Sequence, residues 1–385
     1  MLKILFFHNT LPEYRIGWFE ELSKQSYVKF IFTNEKINKK DYGNDIDYKR
    51  ASNLNCIFFS DFFTGFMKLR SIMKNVSVFD FVELPPIDSL RELLYSIYIY
   101  YKCKKHSVKL GYFWEKWDAP FEKQPLIRKL KNFLLRLIPS NIYRNVDIVF
   151  AVGRKSKEYF ISNKVNPNKI YLIPDVSETP VCKYVDLRKL YHIEKSKKII
   201  LYLGRLIPQK GVKELLKAYS LLDSNLRSKC FLLIAGDGVT FEKNKKFAES
   251  LQIENVVFVG KVAPSERQNY FSQCDIFVYP GIFFEGRVDV WGLSLNEALQ
   301  HGKVLISTDA VGSAYELIKD GINGYRIEPG NIKELSNSLR KSVLNLNALK
   351  AKEKDLEIRN VYNFVNMAAE YIRGIESLDM SLKYR

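Results

Sequence analysis

Short apolar runs alternate with amphipathic stretches through the C-terminal half of this sequence. From Lys198 onward the apolar runs are IILYLGR, CFLLIAGDG, NVVFVGK, DIFVYPG and KVLIST, and segments such as VKELLKAYSLL and SLNEALQHG lie between them. The runs are short, rich in β-formers and uninterrupted by polar residues, which is typical of strands buried on both faces of a parallel sheet. The pattern predicts a doubly wound α/β domain.

The N-terminal half repeats this alternation less regularly. Its strand candidates are LKILFFHN, KFIFTN, NCIFF, FDFVELP, VKLGYFW, DIVFAVG and KIYLIPD. A chain of 385 residues exceeds what one hydrophobic core usually organises, so we expect two Rossmann-like α/β domains in tandem. We place the first domain at residues 1–180, a polar linker at 181–197, the second domain at 198–360, and a helical segment expected to return to the first domain at 361–385.

Charge and cysteine usage narrow the class of protein. The formal net charge is +17, which favours polyanionic partners, but no nucleic-acid-binding module is recognisable, so we expect no nucleic-acid partner. The five cysteines are far apart and form no C-x-x-C pair, as expected of reduced thiols in a cytosol. No apolar run approaches the roughly 18 residues of a membrane span, and no signal sequence is evident, so the sequence predicts a cytoplasmic protein.

Two cations lie on the loop that follows the first strand of the second domain. The loop contains Arg205 and Lys210 between Gly204 and Gly211, and it opens the next helix. A guanidinium offers a fork of donors, an ammonium a movable charge, and a helix N-terminus free N–H groups, a combination that suits a diphosphate. A solvated loop with two surface cations is the alternative, and this segment alone does not decide between them.

The densest set of polar residues lies between the run DIFVYPG and the helix that follows. It places Asp289 and Glu297 on either side of Gly292. Ser294 and Glu297 also have the spacing of a capping box, in which the Glu bonds the N-cap backbone, and spacing alone favours that structural role. A helix opening beneath a glycine loop is also a site for anions and hydroxyls, so the two roles are compatible.

Together these segments resemble the retaining glycosyltransferase family 4, a glycosyl transferases group 1 family of the GT-B fold with many bacterial surface-polysaccharide enzymes. Its successive motifs match Gly204-Arg205 with Lys210-Gly211, Ala235-Gly236-Asp237-Gly238, Phe258-Val259-Gly260, Asp289 to Glu297, and Ala298 to Gly302 leading into Val304-Leu305-Ile306. The resemblance implies two Rossmann-like doubly wound domains facing across a cleft, the first binding the acceptor and the second the nucleotide-sugar.

The resemblance also implies roles for individual residues. Arg205 and Lys210 would hold the donor diphosphate and neutralise the leaving group, and Asp289 would lie near the sugar ring, so these three are the catalytic candidates. Glu297 would bind the ribose hydroxyls. The donor-binding candidates are Gly204, Gly211, Lys261, Val262, Val290, Trp291, Gly292, Leu293, Ser294 and Glu297.

The sequence departs from the family at two places. Asp289 stands where the family usually has Glu, and the shorter carboxylate moves its oxygens by roughly one C–C bond. An alignment on Glu285 would break the spacing to Glu297. The N-terminal loop lacks the usual Gly-Gly pair and is similar to a Pro-x-Tyr-Arg variant, which makes Tyr14, Arg15 and Gly17 acceptor or phosphate candidates. Arg15 is a surface cation in the alternative interpretation.

One further acceptor candidate and one metal candidate come from isolated residues. Glu115 follows a strand of the first domain and suits an acceptor contact, although a surface pair with Lys109 or Lys116 is the favoured alternative. Asp45 and Asp47 form a single D-x-D in a polar loop, and the histidines show no ligand spacing. We therefore expect no metal and no cofactor, with a nucleotide-sugar, UDP- or GDP-linked, as substrate.

A basic amphipathic segment carries part of the positive charge and is a candidate for contact with an anionic membrane. Residues 125–138 place Leu, Ile and Phe at near-helical spacing among four cations. Such a helix can lie in an anionic membrane interface, or it can face the core with its charges outward, and the two interpretations carry equal weight. A lipid-linked acceptor would account for the first, with the protein peripheral on the inner face of the cell membrane.

The function expected is transfer of a hexose-type sugar to a glycan or lipid-linked saccharide in bacterial polysaccharide biosynthesis. Two alternatives stay open. One is a catalytically silent GT-B subunit, suggested by Asp289, and the other is a GT-B enzyme similar to sugar-nucleotide epimerases.

Overall fold

The chain forms two compact units, each built on its own parallel sheet. The structure is a computed structural model that describes residues 1–35, 48–137, 139–177, 180–354 and 357–378. Unit 1 comprises Met1–Lys116, Leu126–Val176 and Tyr362–Arg385, and unit 2 comprises Trp117–Pro125 and Ser177–Val361. Two doubly wound α/β units confirm the predicted fold class.

Unit 1 contains a seven-stranded parallel sheet in the order β3-β2-β1-β4-β5-β6-β7. The fourth and sixth strands in chain order are buried along their whole length, as the apolar runs predicted. The strands are β1 (Lys3–His8), β2 (Tyr27–Phe32), β3 (Cys56–Phe58), β4 (Phe81–Leu84), β5 (Lys109–Trp114), β6 (Ile148–Val152) and β7 (Ile170–Ile173).

Most helices of unit 1 connect its strands, and one comes from the C-terminal segment of the chain. They are α1 (Ile16–Gln25), α2 (Tyr48–Ala51), α3 (Phe62–Met73), α4 (Leu90–Lys105), α5 (Leu126–Leu137), α6 (Pro139–Arg144), α7 (Gly153–Ser162) and, from the C-terminal segment, α18 (Phe364–Glu376). Short 3-10 turns lie at Glu13–Arg15, Val76–Val78 and Pro167–Lys169.

Unit 2 contains a six-stranded parallel sheet in the order β10-β9-β8-β11-β12-β13. Its strands are β8 (Lys198–Leu203), β9 (Cys230–Ala235), β10 (Val256–Gly260), β11 (Ile276–Tyr279), β12 (Val304–Thr308) and β13 (Gly324–Ile327). The sequence analysis did not predict β13. Two of its four residues, Tyr325 and Arg326, are only half-buried, so this edge strand lacks the continuous apolar run of the others.

The helices of unit 2 flank its sheet. They are α8 (Leu187–Leu190), α9 (Val212–Ser220), α10 (Ser224–Ser228), α11 (Phe241–Ser250), α12 (Arg267–Gln273), α13 (Leu293–Gln300), α14 (Ala314–Leu317), α15 (Ile332–Leu344), α16 (Leu346–Lys354) and α17 (Ile358–Val361). Further 3-10 turns lie at Phe121–Lys123, Pro208–Lys210 and Pro264–Glu266.

The strand order reverses at one point in each sheet, between β1 and β4 in unit 1 and between β8 and β11 in unit 2. At such a switch point the connections leave toward opposite faces, and a crevice opens outside the carboxyl ends of the strands. The loops carrying the candidate residues follow these strands. The topology therefore places the Arg15 and Arg205 loops at the two switch points.

One segment belongs to a different unit from the one predicted. Residues 117–125, assigned from sequence to the first domain, pack with unit 2. The indole N–H of Trp117 donates to the carbonyl of Val290 at 3.1 Å, and its ring meets Tyr315 edge-on. This segment supports a loop of unit 2 because its Trp side chain reaches across the 289–292 backbone.

The basic amphipathic segment forms helix α5, with apolar side chains on its exposed side. Leu126 and Ile127 are each 83% exposed, Leu130 59% and Phe133 58%. The core-facing interpretation is therefore wrong for these four residues. Ile138 and the side chains of residues 131, 132 and 134–137 lie outside the described residues. None of the described helices is long and apolar enough to cross a membrane.

A buried carboxyl joins the C-terminal helix to the centre of the unit 1 sheet. Glu83 on β4 is fully buried, and its Oε2 accepts a 2.7 Å hydrogen bond from the hydroxyl of Tyr371 on α18. The backbone of Phe113 also bonds this carboxyl, and no side-chain or backbone group among the described residues lies within hydrogen-bond distance of Oε1. Burial raises the pKa of Glu83 to about 8, so the group is protonated at neutral pH.

The Glu83 carboxyl makes stability depend on pH. Between the ordinary pKa of 4.5 and the folded value of about 8 the folded state holds a proton that the unfolded chain releases, so stability falls as pH rises through this window. We expect Glu83→Gln to flatten that part of a Tm-against-pH profile measured by calorimetry. The exposed Glu158→Gln is the matched control, and identical profiles for all three proteins would contradict the assignment.

Candidate active site

The loop after β8 presents its two cations differently. Arg205 is exposed, whereas Lys210 at the end of the Pro208–Lys210 turn is buried. Gly211 then adopts φ +69°, and a Cβ there would lie 1.8 Å from the carbonyl oxygen of Pro280. Because only glycine fits against the end of β11, the loop turns sharply before α9 and carries Lys210 inward.

Lys210 is held in a three-residue cluster with Tyr279 and Asp289. Its ammonium contacts the carboxylate of Asp289 and the hydroxyl of Tyr279, and that hydroxyl donates to Asp289 Oδ2 at 2.5 Å. The ammonium also lies 4.9 Å from the centre of the Tyr279 ring. Lys210 and Asp289, predicted from separate motifs, are therefore brought into direct contact.

Tyr279 is a site residue that sequence reasoning missed. It lies inside the apolar run of β11, where it looked like an ordinary strand residue. Burial first, and then the charge of Asp289, raise the pKa of its phenol well above the usual value. Tyr279 therefore stays neutral and can donate to Asp289 while accepting from Lys210.

The segment from 284 to 292 is fixed by backbone hydrogen bonds to the chain after β12. The amide of Asp289 donates to the carbonyl of Ala310, and the amide of Ser313 donates to that of Trp291. Glu285 is exposed at the tip of a tight turn, where its φ is +49°. It is not one of the three residues of the Lys210 cluster. Gly292 adopts φ +87° and ends the segment at the start of α13.

Glu297 is not part of a capping box. Helix α13 begins at Leu293 with Gly292 at the N-cap, so Ser294 lies within the first turn and cannot cap it. Glu297 Oε1 instead accepts a 2.8 Å hydrogen bond from the hydroxyl of Ser177, and Oε2 pairs with the Arg267 guanidinium. The spacing was misleading because both partners are distant in sequence.

The Glu297 carboxylate is almost fully buried. Burial raises its pKa, and the nearby Arg267 and the Ser177 hydroxyl oppose that rise. The amide of Ser177 also donates to Asn296 Oδ1 at 3.0 Å. Ser177 and Arg267 were absent from the sequence prediction, since neither lies in a recognisable motif.

The remaining donor candidates lie at the same edge of the sheet of unit 2. Gly204 directly follows β8, while Lys261, which is exposed, and Val262 follow β10. The amide of Gly236 donates to the carbonyl of Gly260 at 2.7 Å, which joins the β9 and β10 loops. Parallel strands thus deliver these segments to one edge.

The acceptor candidates of unit 1 form a second cluster. Arg15 is buried, its guanidinium pairs with the carboxylate of Glu115, and it lies 3.7 Å from Asp175. The surface-cation interpretation of Arg15 is therefore wrong, and Glu115 pairs with Arg15. Tyr14 adjoins Arg15, whereas Gly17 lies on α1, where a Cβ would meet the ring of Phe364 at 2.5 Å.

Within the described ranges, no group of three or more His, Cys, Asp or Glu side chains is placed to hold a metal ion. Asp45 and Asp47, the D-x-D of the sequence analysis, lie outside the described residues.

Sequence comparisons give relatives that carry glycosyltransferase names. An uncharacterized glycosyltransferase of Methanocaldococcus jannaschii is 26% identical over 261 residues, which is 65% of this chain and 63% of that protein. Alpha-monoglucosyldiacylglycerol synthase of Streptococcus pneumoniae is 27% identical over 321 residues, 79% of this chain and 68% of the synthase. Among the first curated relatives the match spans only 63%, 27% and 50% of their own length.

Solved structures share the fold over nearly the whole chain. HepE of Anabaena, solved in complex with UDP, superposes with a TM-score of 0.74 at 16% identity, covering 98% of this chain and all of HepE. At this identity the likeness establishes the two-domain GT-B fold and nothing finer.

The Lys210–Asp289 pair is testable through stability. Because both side chains are nearly buried, we expect Lys210→Met to leave Asp289 unpaired and to cost roughly 3 kcal/mol, a fall in Tm of several degrees. Adding Asp289→Asn should recover part of that loss. The exposed Lys217→Met serves as control, and strictly additive losses in the double variant would show that the two groups are not coupled.

The family match covers the segment that carries these clusters. Arg205, Lys210, Asp289 and Glu297 all lie within residues 186–355, which match the family model for glycosyl transferases group 1. The order of the motifs in the sequence and the GT-B fold both agree with this match. Residues 186–355 therefore match the family of glycosyl transferases group 1, and this part of the chain is a glycosyltransferase-type domain.

Proposed function

We propose that this chain is a retaining glycosyltransferase that moves a hexose-type sugar from a nucleotide-sugar to a glycan or lipid-linked saccharide in bacterial polysaccharide biosynthesis. The observation that carries the proposal is that one edge of the unit 2 sheet carries both an exposed cation, Arg205 after β8, and a buried carboxylate, Glu297 in α13. A nucleoside diphosphate needs both an anion site and a hydroxyl acceptor.

The donor would bind along the carboxyl ends of β8 and β11. Arg205 is exposed and offers a fork of N–H donors that suits a diphosphate. The first turn of α13 adds backbone amides and the positive end of the helix dipole. Glu297 would accept the ribose hydroxyls. HepE, which has the same fold, has been solved with UDP and with UDP-glucose, and this favours a uridine donor here.

The chemistry asked of the protein is mainly electrostatic. Departure of the nucleoside diphosphate leaves negative charge on its terminal phosphate, which Arg205 and Lys210 would stabilise. In a retaining transfer that takes place on one face of the sugar, the leaving phosphate oxygen receives the proton of the acceptor hydroxyl. This scheme requires no side-chain base, and the protein contributes by holding donor and acceptor close.

Asp289 fits a positioning task in this scheme. Its Oδ2 is engaged by Lys210 and Tyr279, so the carboxylate fixes the ammonium beside the Arg205 loop. A silent subunit would need no such arrangement of charges. An enzyme similar to sugar-nucleotide epimerases would use the Glu297 site as well, and it is distinguished because it turns over the donor without an acceptor.

Donor binding tests the proposal directly. We expect one class among UDP-, GDP-, ADP- and TDP-sugars to bind saturably in calorimetry. Arg205→Ala should weaken it roughly tenfold or more, since a charge-assisted contact is lost. Glu297→Ala should weaken it as well. Since Arg205 and Arg340 are both exposed, Arg340→Ala is the matched control. Absence of binding across the panel would shift the assignment to a silent subunit.

A lipid-linked acceptor would bring the protein to an anionic membrane surface, and we propose helix α5 as the contact. Its exposed Leu126, Ile127, Leu130 and Phe133 are interspersed with Arg128 and Lys129. Apolar side chains among cations suit the boundary between acidic headgroups and acyl chains. The protein would then be cytoplasmic and peripheral on the inner face of the cell membrane.

Vesicle sedimentation tests the α5 contact. We expect the protein to sediment with vesicles containing anionic phosphatidylglycerol and not with neutral phosphatidylcholine vesicles. Leu130→Glu with Phe133→Glu should remove most of the binding, because both buried apolar area and charge attraction are lost. Val239 is 86% exposed in unit 2, so Val239→Glu is the control. Equal binding of the variant and the unaltered protein would contradict the assignment.

A further inference from the structure

Two buried tyrosines are stacked where the strand order of the unit 2 sheet reverses. Tyr202 lies in β8 and Tyr279 ends β11, and these two strands are neighbours at the switch point. Their ring centres are 6.2 Å apart and their planes differ by 11°. Both side chains are buried, so each hydroxyl needs a hydrogen-bond partner inside the protein.

The two hydroxyls bond to different segments. The Tyr202 hydroxyl donates to the carbonyl oxygen of Arg205 at 2.8 Å, on the loop after β8. The Tyr279 hydroxyl donates to Asp289 Oδ2 at 2.5 Å and accepts from the Lys210 ammonium. One tyrosine therefore holds the backbone at Arg205, and its stacked neighbour holds the Lys210–Asp289 pair.

Close packing fixes the two rings. A Cβ on Gly204 would lie 3.2 Å from the Tyr202 hydroxyl and 3.6 Å from the Tyr279 ring. A Cβ on Gly292 would lie 3.3 Å from the Tyr279 ring, and the buried hydroxyl of Ser307 donates to the Tyr279 carbonyl at 2.8 Å. Because rings packed this closely have little freedom, their hydroxyls are fixed points for the segments that bond to them.

Both phenols keep their protons at neutral pH. Burial first, and then the charge of Asp289, raise the pKa of each phenol well above the usual value. The charge of Arg205 opposes this rise without cancelling it. Each hydroxyl is therefore available as a donor, Tyr202 to a carbonyl oxygen and Tyr279 to a carboxylate.

The carboxylate of Asp289 is bonded through one oxygen. Both Lys210 and Tyr279 contact its Oδ2, and the side chain is 14% exposed. Its Oδ1 forms no hydrogen bond with any of the residues that the structure describes. A carboxylate held through one oxygen presents the other in a set direction, which suits a single hydroxyl of a sugar. The Tyr279 hydroxyl thus orients the oxygen that Asp289 leaves accessible.

We infer that Tyr202 and Tyr279 are positioning residues that act on different parts of the donor. Tyr202 fixes the backbone that carries Arg205, whose guanidinium binds the diphosphate. Tyr279 fixes Asp289, whose Oδ1 accepts from a hydroxyl of the sugar. The inference rests on the proposed function, because it takes the ligand at this edge of the sheet to be a nucleotide-sugar.

Removal of single hydroxyls separates the two roles, since phenylalanine keeps each ring and its stacking. Affinities of the full chain for UDP and UDP-glucose, and for GDP and GDP-glucose, are measured by calorimetry. In Tyr202→Phe we expect both members of the pair that binds to lose affinity by the same factor, roughly fivefold, because one hydrogen bond is lost. In Tyr279→Phe we expect the nucleotide-sugar to lose roughly fivefold and the nucleoside diphosphate less than about twofold.

A buried hydroxyl elsewhere in unit 2 provides the matched control. The hydroxyl of Tyr270 shares a 2.8 Å hydrogen bond with that of Tyr191, so Tyr270→Phe loses a comparable bond and should leave every affinity unchanged. Equal losses for both ligands in Tyr279→Phe, or affinities in Tyr202→Phe that match those of the control, overturn the inference. If one of the two phenylalanine variants does not fold, the other carries the test.

Failure of the proposed function gives a different result, because the unaltered chain then binds neither pair of ligands. Binding by the unaltered chain together with either contradicting result refutes the positioning roles alone and leaves the donor assignment intact.

Discussion

The burial of parallel strands on both faces is the constraint from which the rest of this structure follows. A strand enclosed between two helical layers has no surface on which a polar side chain can reach water, so polar chemistry is driven to the strand ends. Both units obey this rule. Arg205 and Lys210 follow β8, and Tyr14 and Arg15 follow β1. Tyr279, whose hydroxyl belongs to the Lys210 cluster, is the last residue of β11.

Glu83 is an informative exception to that constraint. It lies within β4, and the cost of enclosing a charge is avoided because the carboxyl keeps its proton and accepts from Tyr371. The cost of burying a charge also applies in unit 2, where Asp289 and Glu297 lie beside cations. There, cations accompany the carboxylates: Lys210 with Asp289 and Arg267 with Glu297. Proton retention thus neutralises Glu83, whereas ion pairing compensates the buried charge of Asp289 and Glu297.

Much of this architecture could be predicted from the sequence, because continuous apolar runs report two-sided burial directly. Twelve of the thirteen strands coincide with such runs, and the exception, β13, is a short edge strand with two half-buried residues. Candidate site residues could be selected where a motif named them, as with Lys210 and Asp289, which the structure brings into contact. Their partners could not, since Ser177 lies 120 positions from Glu297 and Arg267 and Tyr279 carry no motif. Local spacing even favoured a capping box that does not form.

Unit 1 is assembled from both ends of the chain, and this affects how it is made. Helix α18 packs its Tyr371 ring 4.4 Å from that of Phe150 and supplies the hydroxyl for Glu83. A ribosome adding about 5–20 residues per second delivers α18 only after the whole of unit 2 has been translated. The first sheet to be synthesised is therefore the last to be covered. Until then the Phe150 ring lacks the cover of Tyr371, and a chaperone that recognises apolar surface could bind there.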